Sequence, residues 1–470
     1  MRRHRTSPDG PPSPRSSAMS AIAMGPSCGG AAPILCVWFL PAAAILLALA
    51  IPMGTSAAPV PTLTTPQLPY DAEYPTIPYA TGETSDPVAV LARGLESGAV
   101  TLDREGPSAY LAAILRELRI PVSSQMLVFS KTSLLARFIW PETPRAIYFN
   151  DRVYVAWTPG VDALEISAQD PELGPVFYNL EPDGGDGPRI RRQTGLCLQC
   201  HDSYSLTGGG VPRHIMGSGP TDENGQLASH ELWRITADTT PIRERWGGWY
   251  VTGTHGDQLH MGNVALGRRG DSLTAGGNLT DLGELIDLTP YLGAHSDIVA
   301  LLVAEHQTTV QNLITLVGYR VRTRLHADQQ AGLPPGEMSP RTTRLVEGLG
   351  ESLVRALFFV ATPRFEDPIE GTSTFAVDFT AGGRRDAQGR SLRDLDLRTR
   401  LFRQPLSYLI HSPEYDALPA QARAYVDGRI LSILRGEEGG RDFAHLSAGD
   451  REAILAILRD TKPEILGLAG

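Results

Sequence analysis

Two thiols and an imidazole stand within five positions of one another in Leu196-Cys197-Leu198-Gln199-Cys200-His201. Cysteines three positions apart can offer both sulfurs to one edge of a planar ligand. Each can then add across one of the two vinyl groups of a haem and form a thioether. A histidine directly after the second cysteine turns its imidazole under the iron as proximal ligand. The expected chemistry is one covalent haem c, held by Cys197 and Cys200, with His201 on the metal. Other chemistries compete for the same five residues. A disulfide across two intervening residues suits an oxidising compartment. A thioredoxin-like pair wants a strand-to-helix setting, which the run from Asp202 to Gly210 does not offer. Zinc would need two further ligands from histidines and carboxylates.

A six-coordinate iron needs a second axial ligand. Met261 is one candidate, 60 positions beyond His201 in a polar, Gly-bearing loop where a methionine has little core to fill. His260 beside it is another. His306 is the third, among Leu302, Val303, Val310 and Leu313 at helical spacing and flanked by Glu305 and Gln307. A histidine on such a face is more often a satisfied core residue. His214 and Met216 follow the motif so closely that a short loop would struggle to reach over the haem. If the distal site is open, His255 joins His260 and His306 as candidates for acid–base work. Arg189, Arg191, Arg192 and Arg213 are candidates to fork onto the haem propionates. Trp246, Trp249 and Tyr250 could pack on the porphyrin, although aromatic strand residues are more often plain core.

The compartment is read from the N-terminus. Arg2, Arg3, Arg5 and Arg15 precede an apolar run over residues 31–53, and small residues follow at 54–58. That order is a secretory signal over residues 1–57, with cleavage expected after Ala57. An uncleaved membrane anchor through 31–53 is the alternative. Either way the rest of the chain is expected in the periplasm or on the extracytoplasmic face of the inner membrane. Cys28 and Cys36 fall inside the signal, so the motif supplies both cysteines of the exported part. The net charge of −10 becomes −13 once the four Arg and one Asp of residues 1–57 are removed. Such an acidic chain is no partner for nucleic acid.

Behind the motif, the periodicity changes along the chain. Residues 58–86 are Pro-rich and read as a linker. Two helices are expected within 87–119. Short runs at 125–129, 146–149, 153–157, 163–167 and 175–179 read as antiparallel strands divided by turns such as Asn150-Asp151. A further strand is expected over 246–252. Helical spacing takes over at 298–317, at Leu345 to Leu357 and from Ala422 to Ile433, and Ser447 with Asp450 should box the start of a last helix. The expected class is α+β, with a β-rich, haem-bearing region over 87–290 and a helical region over 291–470 packed on the haem side.

The Cys197–His201 motif resembles that of the c-type cytochrome superfamily. Together with Pro121–Gln125, Ala146–Asp151, Trp246–Gly256 and His260–Asn263, the chain resembles an uncharacterised group of exported bacterial monohaem proteins. That resemblance covers most of the chain after residue 85. It implies one integrated architecture and brings no activity with it. Two functions stay open. One is electron transfer with a redox partner protein, both axial sites being filled. The other is a haem enzyme of peroxidase or oxygenase type with an open distal site. A second C-x-x-C-H is absent from the sequence, which argues against a dihaem peroxidase.

Overall fold

The computed structural model describes residues 73–467 apart from 183–186, 268–271, 275–276 and 438–439. The expected export signal over 1–57, its apolar run 31–53 and the first part of the Pro-rich stretch lie outside the described residues. The described residues fall in one compact unit, so the regions 87–290 and 291–470 share a single body. The class is α+β. No described helix is long and apolar enough to cross a membrane.

Its centre is a six-stranded antiparallel meander. The strands are β1 (Met126–Val128), β2 (Arg145–Phe149), β3 (Val153–Trp157), β4 (Leu164–Asp170), β5 (Gly174–Glu181) and β6 (Arg189–Gln193). Each pairs with its sequence neighbour, and the shortest links reverse the chain in tight turns. Asn150, for example, accepts from the amides of Arg152 and Val153, an Asx turn that reverses the chain. Period-2 alternation then gives the sheet two faces. One row of cross-strand neighbours runs Tyr148, Val155, Ile166, Tyr178 and Arg192. The adjacent row, pointing the other way, runs Phe149, Tyr154, Ser167, Phe177 and Gln193.

The first face is covered by α1 (Pro87–Glu96) and α2 (Leu111–Glu117), which bury Val88, Leu91, Leu111 and Ile114 in one core with Tyr148, Val155 and Ile166. Each such aliphatic side chain stabilises the fold by about 1.5–3 kcal/mol. Asp86 caps α1 through the amides of Val88 and Ala89 and receives the Tyr178 hydroxyl at 2.5 Å. The supposed linker is structured from Glu73 onward. A hairpin pairs Glu73–Tyr74 with Ile77–Pro78, and Tyr79 is fully buried with its hydroxyl on the Pro175 carbonyl at 2.8 Å. Proline-rich composition concealed a segment held by its interleaved tyrosines.

Across the second face lies α4 (Ile298–Gln330), preceded in the chain by α3 (Leu198–His201) of the motif. At 33 residues α4 is about 50 Å long, and it is capped by Asp297. It outruns the apolar spacing that announced it, since its last turns leave the core. Gly174 marks how closely helix and sheet approach: its φ is +69°, and a Cβ there would lie 2.3 Å from Thr315. The C-terminal helices α5 (Pro340–Leu357), α6 (Phe375–Ala381), α7 (Ala420–Leu434) and α8 (Ala448–Thr461) complete the second core. The capping box of Ser447 and Asp450 is formed. Residues 246–252 do not make the ladder strand expected of them. They follow β1 irregularly, through Tyr250 N–H to Leu127 and Phe129 N–H to Gly248, with Trp246 at φ +66°.

Candidate haem site and its competitors

The motif forms one helical turn on the second face of the sheet. The His201 amide donates to the Cys197 carbonyl at 3.0 Å, and Leu198 is buried beneath. That turn puts residues i and i+3, the two cysteines, on one side. Neither is in a disulfide; Cys200 is exposed and Cys197 half-buried. Burial, followed by Glu165 and Cys200, pushes the Cys197 thiol up to about 12. A thioredoxin-like pair needs the opposite shift.

The segment after the motif serves to orient His201. Asp202, fully buried, accepts the Val211 amide at 2.8 Å and closes a loop. Gly208, Gly209 and Gly210 all take positive φ there, and a Cβ on Gly209 would strike the Tyr204 ring. The returning strand is clamped twice: Arg213 N–H donates to the His201 carbonyl at 2.9 Å, and His201 Nδ1 meets the Arg213 carbonyl at 2.7 Å. A carbonyl can only accept, so Nδ1 carries the proton and Nε2 keeps its lone pair. Nε2 has no hydrogen-bond partner among the described residues. Burial lowers the His201 pKa and holds the ring neutral. Phe177 of β5 supports the ring at 4.4 Å between centroids. From α4, Asn312 binds both the amide and the carbonyl of His214 at 2.8 Å, and Arg320 reaches the Gly209 carbonyl. The loop that follows the motif therefore touches an element beyond residue 290.

Around it the surface stays apolar in places where solvent reaches. Leu196, Tyr204 and Leu206 are exposed. Of the four candidate arginines, Arg192 faces away: it sits on the Tyr178 row and donates to the carbonyls of Gly82 and Tyr79. Arg191 shares the motif's face but pairs with Glu181 at 2.6 Å. Arg213 lies between the charges of Asp202 and Arg320. Trp246 and Trp249 belong to the second core.

None of the three distal candidates makes a hydrogen bond or ring contact to the motif. His306 is buried on α4 with both nitrogens taken: Nδ1 meets Asp238 Oδ2 at 2.9 Å and Nε2 meets Ser407 Oγ at 2.7 Å. Its ring stacks on Phe359 at 4.3 Å. The expected core role fits this placement, and iron would have to displace a hydrogen bond. His260 packs against Trp246 and approaches His255, with Nε2 to Nε2 at 3.3 Å. Burial and then His255 push His260 down to about 3. Met261 is buried beside it, its amide on the Arg245 carbonyl. The histidine coupled to the motif is instead His214: burial and then His201 push it down to about 3, and it is held by Ser167 and Gln169 and set against Tyr154 at 4.7 Å.

Asp238, His306 and Ser407 have the connectivity of an acyl-transfer triad, which no sequence order announced. Its chemistry is blocked by burial. Ser407 and His306 are 0% exposed and Asp238 4%, and Ser407 Oγ also accepts the Leu409 amide. No acyl group can reach that oxygen. The same core holds the Arg245–Glu305 ion pair at 2.9 Å, so the cluster ties α4 to its surroundings. Among the described residues no three His, Cys, Asp or Glu side chains are arranged to hold a metal ion, and a zinc site at the motif lacks its ligands.

The chain matches no protein-family model, no curated protein and no solved structure.

Proposed function

We propose that this chain is an exported monohaem c-type cytochrome that transfers electrons. Cys197 and Cys200 would hold one haem c by thioethers, and His201 would be its proximal ligand. The observation that carries the reading is the His201 imidazole. Its Nδ1–H is spent on the Arg213 carbonyl at 2.7 Å, so the nitrogen left over is the one a metal uses. The unpaired thiols, one turn apart on an apolar-flanked surface, suit attachment at the same place. Bound there, the haem supplies one-electron oxidation and reduction. The chain's own part is to fix the imidazole's tautomer and plane through Arg213, Phe177 and Asn312.

A second reading, a peroxidase- or oxygenase-type haem enzyme, is favoured by one observation. Met261, His260 and His306 are all engaged away from the motif, which suits an open distal side.

Denaturing gels stained for haem test attachment. Haem should stay with the polypeptide, and Cys197→Ala with Cys200→Ala should abolish the stain. Haem lost to acid–acetone extraction from the wild type would overturn the proposal. Spectra of the attached form separate the two readings: low-spin ferric iron supports the carrier, and high-spin iron reacting rapidly with peroxide supports the enzyme.

A further inference from the structure

We infer that the ion pair of Arg145 and Glu165 sets the reduction potential of the haem proposed at Cys197–His201. The inference rests on the haem reading, and it names two residues that no spacing or motif picked out.

Sheet register brings the pair to the motif. Ser167 of β4 lies opposite Phe177 of β5, whose ring supports His201, and Glu165 lies opposite Asn179. Glu165 is therefore on the motif's face, a diagonal neighbour of Phe177, and such neighbours lie about 7–8 Å apart. Arg145 of β2 shares that face with Phe149 by the same alternation. Ala156 of β3 stands beside Glu165 in the row and is small enough for the guanidinium to cross. Arg145 Nη1 donates to Glu165 Oε2 at 2.9 Å. The Ser133 hydroxyl, 3.1 and 3.0 Å from the two carboxylate oxygens, fixes the anion in place.

Their charges are the ones felt at the motif. Burial and then Glu165 raise the pKa of the Cys197 thiol. At His201, burial acts first and the Arg213 carbonyl second; Arg145 then lowers the pKa and Glu165 raises it. Nearby charges are answered elsewhere. Asp202, Arg213 and Arg320 act on one another. Arg191 and Glu181 share the motif's face, but their side chains are 55% and 45% exposed, so water and salt screen them. Those of Arg145 and Glu165 are 18% and 25% exposed, which preserves more of their field. Reduction removes one positive charge from a haem, so a nearby cation favours the reduced state and a nearby anion the oxidised one. A unit charge within about 10 Å, at an effective dielectric constant of about 20, moves that equilibrium roughly tenfold, which is about 59 mV for one electron.

Redox titration of the holoprotein tests the assignment. Arg145→Gln should favour the oxidised state about tenfold, and Glu165→Gln the reduced state about tenfold. The double variant and Arg145→Lys should both stay near the wild type, as should Glu181→Gln. Loosened packing would instead move both glutamine variants the same way. Should one of them fail to fold, the sign of the other and the lysine variant still decide. A second readout needs no haem. In the full chain prepared without haem and carrying Cys200→Ala, Glu165→Gln should speed alkylation of Cys197 by iodoacetamide several-fold at about pH 8. Glutamine variants shifted in the same direction, an unmoved potential, or unaltered alkylation in Glu165→Gln would each overturn this inference and leave the haem reading standing. A wild type without attached haem would overturn both.

Discussion

His201 and His306 each direct Nδ1 at an oxygen, at 2.7 and 2.9 Å, and differ in what remains. At His201 the partner is a backbone carbonyl, and Nε2 is left with a lone pair and no hydrogen-bond partner among the described residues. At His306 the partner is a carboxylate, and Nε2 meets Ser407 in a fully buried core. Glycines, exposed leucines and two unpaired thiols surround the first ring; phenylalanines, Arg245 and Glu305 surround the second. Counting donors and acceptors separates a histidine that can bind a metal from one that binds the fold together.

The largest effect should come from striking the second region. His306→Ala removes a stacked ring and strands Asp238 and Ser407, at an expected cost of about 3–5 kcal/mol in urea unfolding. The ferric spectrum of the folded fraction should not move. His201→Ala should do the reverse, costing about 1 kcal/mol or less while abolishing normal axial ligation of any attached haem. If His306→Ala instead turned a low-spin iron high-spin with little loss of stability, His306 would be the distal ligand and the contrast would collapse.

The second region also contains a group that is not fully satisfied, and pH should expose it. Glu414 is buried with one carboxylate oxygen lacking a partner, and burial pushes its pKa up to about 7. Unfolded, it titrates near 4.3. Between those values the folded chain keeps a proton that the unfolded chain has released, so stability falls as pH rises through the window. Above about 7 the full penalty applies, up to about 4 kcal/mol. Glu414→Gln cannot ionise. It should match the wild type near pH 4 and exceed it progressively toward pH 8, as followed by urea midpoints. An equal difference at both ends would show that Glu414 does not titrate with folding.

Much of this arrangement is legible in the sequence, and the illegible part has a common cause. Strands β2 to β5, the helix of His306 and the Ser447 box arise from local periodicity and capping, which act over a few residues. Strand β6 is hidden because its sequence, Arg-Ile-Arg-Arg-Gln, reads as a charged run. Residues 246–252 read wrongly as a strand because aromatic content does not reveal a positive φ at Trp246. Within the site, the cysteines and His201 announce themselves by spacing. Asn312, Phe177 and the Arg213 carbonyl do not, since each meets the motif only through tertiary packing. The triad-like cluster spans separations of 68 and 101 residues.

A middle-sized effect tests the support of the first region. Asn312→Ala withdraws two hydrogen bonds from the backbone of His214 and should cost about 1–3 kcal/mol. Unlike His306→Ala, it should also loosen the loop that holds the Arg213 carbonyl. Hydrogen exchange of the 202–214 amides would accelerate while that of α7 and α8 stays as it was. Uniform acceleration would mean that Asn312 matters only to global stability.

The smallest expected effect falls where the two regions meet. Tyr154 sits on the Phe149–Ser167–Phe177 row; its ring stacks with Phe149 at 5.9 Å and touches His214 at 4.7 Å. Its hydroxyl bridges Gln307 at 2.7 Å and Gln311 at 2.9 Å on α4. Gln307 also holds the Asn150 carbonyl and Gln311 the Asp151 carbonyl, so both amide nitrogens stay satisfied and only Gln311 Oε1 loses its donor when that hydroxyl goes. Tyr154→Phe should therefore cost about 1 kcal/mol, with both the iron spectrum and the core unchanged. Tyr154→Leu removes the ring as well, leaving His214 and Phe149 without the surface they share. If the regions are joined through that ring, the leucine variant should disturb the His201 loop and the packing of Phe375 together, as read by hydrogen exchange at 202–214 and at 375–381. Disturbance at only one of the two segments would show that the sheet row is merely adjacent to both, and that the Cys197–His201 motif and the second core respond independently.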